Sequence, residues 1–267
     1  MCLVHRIHTC RLTEPPGIQR QLKNSNRMDR KRNIDFCIDY LMKQTGTSIE
    51  IPDGLVDKQR VLRALMNIWE PQELSEDFLD AQDAELQMQT NEKGVVDIDG
   101  PLWQGDITRL RADAVVNAAN SRGLGCWQPL HACIDNCIHS ASGLQLRQEC
   151  NDILHGGVLE TGDSMITKGY NLPAKHVIHT VGPIITTDAP SAEQEEQLAD
   201  CYRSSLRVAT ENGCQSIVFC CISTGVFRFP NRRAAEIAVE TCRNAPIKVV
   251  FNVFKDIDYE IYRELVV

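Results

Sequence analysis

Between about residue 29 and residue 92 the apolar positions recur with a helical period. Ile34, Cys37, Ile38, Leu41 and Met42 fall on one stripe until Gly46 closes the run. After Pro52-Asp53-Gly54 a second helix presents Val61, Leu62, Leu65, Met66, Ile68 and Trp69 on a broad face and stops before Pro71. Ser75 to Gln89 predicts a third, with Phe78, Leu79 and Leu86 inward and several acids outward. None of the three carries a constellation of catalytic side chains, so they read as a cap on the main domain.

After Gly94 the pattern changes to short β-rich runs at Val95–Ile98, Asp113–Asn117, Ser164–Thr167, His176–Val181, Ser216–Ile222 and Lys248–Phe254. Helical stretches alternate with them at Leu130–Ala141, Ala192–Asn212, Arg232–Arg243 and Asp258–Leu265. This alternation predicts an α/β fold, a central sheet covered by helices on both faces, with ligands bound over the carboxyl ends of its strands. Two loops at such ends stand out. Asn117-Ala118-Ala119-Asn120-Ser121 leads into Gly123 and Gly125, and Ser216–Ile222 leads into Ser223-Thr224-Gly225-Val226-Phe227. Their small residues let backbone N–H groups approach an anion, and the helix starting near Pro230 adds its dipole, so a pyrophosphate needs no lysine there. Taken alone, the second loop reads as a structural turn around Gly225. Two such loops at strand ends shift the reading toward a ligand site.

The 267 residues suffice for a large core plus an appendage. No apolar run approaches the roughly 20 residues that cross a bilayer, so a soluble protein without a membrane partner is expected. Twelve cysteines and no secretory signal point to a reducing, cytoplasmic location where thiols stay free or bind metal. Most read as packing residues, such as Cys37 on its helical stripe and Cys220 and Cys221 in an apolar run. Residues 1–28 carry Arg6, Arg11, Arg20, Lys23 and Arg27 against Glu14 alone, which leaves the rest of a chain of net charge −8 more acidic still. Such a body repels nucleic-acid backbones, and no nucleic-acid partner is expected. For residues 1–28 a disordered tail, an organelle-targeting segment and a leader upstream of an alternative start at Met28 all stay open.

The densest chemistry lies between residues 117 and 139. Cys126, His131 and Cys133 form a C-x4-H-x-C cluster, and three nitrogen or sulfur ligands leave one corner of a tetrahedral zinc open, as at a catalytic site. The same residues also read as two buried thiols and a surface histidine. Asp135 reads as an acid of a helix's first turn, Asn120 as a turn residue, and Asp106 as the N-terminal acid of a short helix. His139, two turns beyond His131 if both share a helix, would lie about 12 Å from the cluster. It reads as a packing residue, as do His155, His176 and His179.

Residues from about 95 to 265 resemble a macrodomain, the module that binds ADP-ribose. The likeness runs through Gly105-Asp106-Ile107-Thr108, Asp113 to Asn120, His179-Thr180-Val181-Gly182-Pro183 and Ser223 to Phe227. The C-x4-H-x-C insertion and the segment Leu62-Arg63-Ala64-Leu65-Met66-Asn67 narrow the likeness to zinc-dependent macrodomains. The resemblance implies a three-layer α/β/α domain with a mixed sheet over residues 93–267, a helical extension over 29–92, and the leader 1–28. It implies that Asp106 accepts the adenine amino group beside Ile107, that Phe254 stacks on adenine, and that Asn120 meets the distal ribose. Ser223, Thr224, Gly225, Val226 and Phe227 would wrap the diphosphate, Asp135 and Asn120 would serve catalysis, and Cys126, His131 and Cys133 would hold Zn2+. The implied activity is a zinc-dependent hydrolase, working as a monomer, that removes mono-ADP-ribose from protein side chains. A sirtuin-type ADP-ribosyltransferase and a lipoyl-carrier-like target are the implied partners. A non-catalytic ADP-ribose reader, an O-acetyl-ADP-ribose deacetylase and a zinc-stabilised interaction module remain as alternatives.

Overall fold

The computed structural model describes residues 16–266, so part of the expected leader, residues 1–15, lies outside the described residues. Three helices come first, α1 (Pro16–Thr45), α2 (Leu55–Ile68) and α3 (Glu76–Lys93). The stripes read from the sequence meet in one cluster of Ile34, Ile38, Leu41, Leu62, Leu65, Trp69 and Phe78, each 2 % exposed or less. Buried Arg30 of α1 grips Glu85 of α3 through both carboxylate oxygens, at 2.7 and 2.9 Å. Ser75 caps α3 by accepting the Phe78 N–H, and Gly94 closes it in the left-handed region.

The remaining chain builds a six-stranded sheet in the order β2-β8-β7-β4-β6-β5. The strands are β2 (Leu102–Gln104), β4 (Ala114–Ala118), β5 (Ser164–Lys168), β6 (His176–Thr180), β7 (Ser216–Phe219) and β8 (Lys248–Val253). All neighbours are parallel except β5, which runs antiparallel to β6 at the edge. Ala114, Val115 and Val116 of central β4 are buried on successive positions, as a strand covered on both faces requires.

Side chains on β5 identify the two covering layers. Ser164 Oγ bonds to Ser204 and Ser205 of α6 (Ala192–Glu211), while the next residue, Met165, packs with Cys150 of α5 (Leu144–Leu154). Successive strand residues point to opposite faces, so α5 and α6 lie on opposite sides of the sheet. The helix α4 (Ile134–Ser142) packs beside α5, and α7 (Asn231–Cys242) and α8 (Asp256–Leu265) continue the row begun by α6. Among the described residues, no helix is long and apolar enough to cross a membrane.

Local expectations change in several places, and strand β2 and helix α5 have no counterpart among the predicted elements. The run at Val95–Ile98 contributes only β1 (Val96–Asp97), which pairs with β3 (Leu110–Arg111) in a separate two-stranded ribbon. The last strand ends at Val253, leaving Phe254 outside it. Helix α5 has no clear periodic signal because its apolar residues are divided between two cores, Leu144 with the N-terminal helices and Leu146 with the sheet. Finally, α4 starts at Ile134 rather than Leu130, with Cys133 as its cap, so His131 and His139 do not share a helix. The shared helix on which the expected 12 Å spacing rested is therefore absent.

Candidate active site

Five parallel strands end on the same edge of the sheet, and their order arranges the loops that follow. Asp106 comes two residues after β2, Phe254 directly after β8, Ser223 to Phe227 follow β7, and Ala119 and Asn120 follow β4. With neighbouring strands about 4.8 Å apart, the ends of β2 and β4 stand about 14 Å from one another. The sheet therefore lays these groups out in a row at the position where open α/β folds bind ligands.

At the β2 end, Asp106 caps a short 3-10 turn (Ile107–Arg109), as the plain reading of that acid expected. Its Oδ1 accepts the Thr108 N–H at 3.0 Å and the Thr108 hydroxyl at 2.6 Å. Its Oδ2 faces Lys93 Nζ at 3.1 Å. Burial would raise this carboxyl, yet the Thr108 bonds and the Lys93 charge prevail and hold it below the ordinary value. Ile107 is buried beneath it. Gly105 donates to the Val253 carbonyl at 2.9 Å, which sets Phe254 beside the Asp106 turn with 76 % of its surface exposed. An aromatic ring left uncovered at a strand end is a platform for a flat ligand.

In the β7 loop, the left-handed positions fall on Ser223 and Arg228, at φ +64° and +62°, and not on Gly225. A Cβ on Gly225 would meet nothing within 4 Å, so this glycine leaves open space where the sequence suggested a tight turn. The loop is braced from within: Phe229 donates to the Ser223 carbonyl at 2.9 Å, Arg228 to Gly225 at 3.1 Å and Thr224 Oγ1 to Cys221 at 3.0 Å. Val226 is 72 % exposed, and Ser223 Oγ is buried without a partner.

The β4 loop joins Asn120 to Asp135. Asn120 Nδ2 donates to Asp135 Oδ2 at 3.3 Å and to the Gly125 carbonyl at 3.0 Å, while its Oδ1 accepts the Arg122 N–H. Asp135, in the first turn of α4, is 5 % exposed and takes a second hydrogen bond on Oδ1 from Asn117 Nδ2 at 2.8 Å. Burial raises its pKa to about 6, although the Asn117 bond and the Arg147 charge pull the other way. Asn117 also approaches His179 Nδ1 at 3.2 Å, and His179 Nε2 lies 3.0 Å from Thr167 Oγ1. Since that hydroxyl donates to the Val177 carbonyl, His179 carries its proton on Nε2 and Nδ1 accepts from Asn117. Burial depresses the His179 pKa to about 3. Asn117 is thus fixed by a neutral imidazole and holds Asp135 in turn.

Cys126, His131 and Cys133 converge at half-buried positions, with their donor atoms all within 4.8 Å of one another. Cys126 Sγ stands 3.6 Å from His131 Nδ1. Two donors at tetrahedral zinc, with Zn–S about 2.3 Å and Zn–N about 2.0–2.1 Å, stand about 3.5 Å apart, so the Cys126–His131 pair fits that ion in spacing and the trio fits it in donor type. A second group, His139, Cys150 and His179, is wholly buried. Both His179 nitrogens already have partners, and Cys150 is held as a thiol by burial, which marks this group as packed core. His139 supports the loop instead: a Cβ on Gly125, at φ +82°, would come within 2.8 Å of its ring.

Several side chains to which the sequence assigned no role at the site converge here. Arg63 and Asn67 reach the Cys126–Cys133 loop from α2, and buried Arg147 donates to the carbonyls of Met66, Asn67 and Trp69 while its guanidinium lies 4.4 Å from the Trp127 ring centre. The available signal was the i, i+4 spacing of Arg63 and Asn67, which puts both on one face of α2 within the Leu62–Asn67 segment that carries the family likeness.

Residues 116–238 match the Macro domain family. A protein of Treponema medium described as a protein-ADP-ribose hydrolase is 45 % identical over 260 residues, spanning 89 % of this chain and 99 % of its own. A Fusarium oxysporum f. sp. cubense protein, described as a probable bifunctional ADP-ribose hydrolase/ADP-ribosyltransferase, is 46 % identical over 181 residues, 61 % of this chain and 30 % of its own. Among solved structures, the Trypanosoma brucei macrodomain in complex with ADP-ribose is 29 % identical with a TM-score of 0.57, covering 77 % of this chain and 95 % of that one. With its strand-end loops laid out in this order and a relative matched along nearly its whole length, the chain belongs to the macrodomain family.

Proposed function

We propose that this chain is a hydrolase that removes mono-ADP-ribose from modified protein side chains, with zinc held by Cys126, His131 and Cys133. The observation that carries the reading is the pairing of buried Asp135 with Asn120, next to the three metal donors and at one end of a row of ligand-sized loops. A binding module needs the row. It has no need of a nearly enclosed carboxylate beside a set of metal ligands. The full-length Treponema relative supports hydrolysis, and the Fusarium protein supports a functional pairing with an ADP-ribosyltransferase. On the resemblance alone, that transferase is of sirtuin type and its target a lipoyl-carrier-like protein. Every residue invoked lies on one chain, so a monomer suffices.

Hydrolysis adds water across the bond between the terminal ribose and the protein side chain, placing hydroxyl on one fragment and a proton on the other. Asp135 takes the proton from the attacking water or aligns it, with Asn117 and Asn120 fixing its two oxygens. Asn120 sets the distal ribose, while Phe254, Asp106 and the Ser223–Phe227 backbone hold the adenine and diphosphate, so the reacting carbon is delivered to a fixed base. Cys126, His131 and Cys133 would hold zinc, which when bound would supply Lewis acidity toward a substrate oxygen or a water, the latter weakened by charge donated from two thiolates.

The direct test offers the purified chain Asp-, Glu-, Ser- and Arg-linked mono-ADP-ribosylated proteins, with and without a chelator. Time-dependent release of free ADP-ribose that stops on chelation is expected. Tight binding without release on every linkage would leave a reader, and hydrolysis confined to O-acetyl-ADP-ribose would leave a deacetylase. The binding row is tested separately. Loss of one base–aromatic stack is typically worth about 1–3 kcal/mol, so Phe254→Ala should weaken ADP-ribose affinity by roughly 5- to 150-fold in calorimetric titration. Unchanged affinity would put the adenine elsewhere.

A further inference from the structure

The loop from Cys126 to Cys133 does not shape itself. Leu130, directly before His131, has φ +59°, a left-handed conformation that a branched side chain adopts only when its surroundings impose it. Its N–H donates at 2.9 Å to Asn67 Oδ1 of α2, and Asn67 Nδ2 donates to Ser140 Oγ at 3.0 Å. One turn earlier, Arg63 Nη2 donates to the His131 carbonyl at 2.9 Å and to Asn136 Oδ1 at 2.7 Å, with Nε on the same oxygen at 3.2 Å. Asn136 passes the constraint on, since its Nδ2 donates to the Gln128 carbonyl at 2.9 Å. Two side chains of α2 therefore grip the loop on both sides of the His131 peptide. Asn67 is 1 % exposed with its backbone carbonyl tied to Arg147, and half-buried Arg63 is held by its bonds to both the His131 carbonyl and Asn136.

We infer that Arg63 and Asn67 are positioning residues for the metal trio: the N-terminal helices, not the sheet domain alone, fix the direction in which His131 presents Nδ1 to Cys126 and Cys133. This rests on the zinc-dependent reading above and assigns part of the metal site's geometry to an element the sequence suggested was only a cap. Partners that orient metal ligands typically govern affinity by about 10- to 100-fold, and none of the atoms gripped belongs to the adenine or diphosphate end of the row.

The test uses the full chain loaded with zinc and follows zinc per chain and the rate of zinc transfer to a colorimetric chelator. Arg63→Gln and Asn67→Ala should release zinc about 10- to 100-fold faster, with ADP-ribose affinity within about threefold of the parent. Arg63→Lys, which keeps a donor for the His131 carbonyl but not the fork onto Asn136, should fall between. Leu62→Ala serves as the control, because it opens the core of the same helix one residue away without touching the loop. Circular dichroism selects a temperature at which every variant is folded. Parental release rates in both Arg63→Gln and Asn67→Ala would overturn the inference. So would release that merely follows melting temperature, with Leu62→Ala as fast as the others. A parent chain that takes up no zinc would overturn the metal reading and this inference together, whereas a zinc-binding parent with indifferent variants sinks this inference alone.

Discussion

Asp135→Ala should lower the rate of ADP-ribose release by about 10²- to 10⁴-fold, the usual worth of a placed acid–base group, while ADP-ribose affinity changes little. The separation follows from position. Asp135 stands at one end of the row, under Asn120, and has no part in the Phe254, Asp106 or Ser223–Phe227 contacts expected to supply most of the binding. The substitution also frees the Asn117 and Asn120 amides and leaves Arg147 without its nearby negative charge, at a cost of about 1–3 kcal/mol for unpaired buried groups. Asp135→Asn keeps the volume but removes the charge and turns an amide donor toward Asn117 or Asn120 in place of one accepting oxygen, and it should be nearly as slow. Rates and calorimetric affinities are measured below the melting temperature of each variant. Equal losses in turnover and in binding would refute a specifically catalytic role and return Asp135 to its plain reading as an acid of the first helical turn.

What could be read from the sequence was whatever lies close together along it. Asn117, Asn120, Gly125, Cys126, His131, Cys133 and Asp135 fall within one short stretch, so strand, loop and ligand spacing are visible without knowing the tertiary structure. Strand alternation indicated that the distant loops share one edge, because parallel strands bring every βα loop there, but not their order across the sheet, and β2 gave no strand signal. Three things were hidden for physical reasons. The start of α4 depends on a cysteine cap, a residue that rarely signals a helix start, so the helical pattern seemed to reach back to Leu130 and to include His131. Gly225 resembled a turn glycine because sequence does not distinguish a residue that bends the chain from one that leaves room. Arg63 and Asn67 stood out only as part of the Leu62–Asn67 likeness, and what they touch was hidden, since their partners lie more than 60 residues away in sequence.

Removing a metal ligand should be as damaging as removing the acid, and Cys133→Ser is the most discriminating way to do it. Cys133 caps α4 by accepting the Asn136 N–H at 3.4 Å, and on the proposed function its Sγ would also be one of three metal donors. Alanine would destroy both, so any loss of activity could be charged to a frayed helix, at about 1 kcal/mol. Serine is among the preferred caps and preserves or improves the helix start, but its hydroxyl is a poor ligand for zinc beside a thiolate and an imidazole. Zinc content should therefore fall from about one per chain toward none, with far-UV circular dichroism and ADP-ribose affinity retained. If the ion contributes the several kcal/mol typical of Lewis-acid stabilisation, hydrolysis should drop by about 10²-fold or more. Cys126→Ser, which touches no helix cap, should match it, and the agreement would separate ligation from capping. A metal-free Cys133→Ser chain that still hydrolyses at the parental rate would strip the trio of any part in the reaction, while loss of ADP-ribose binding together with melting would identify the ion as a structural clasp.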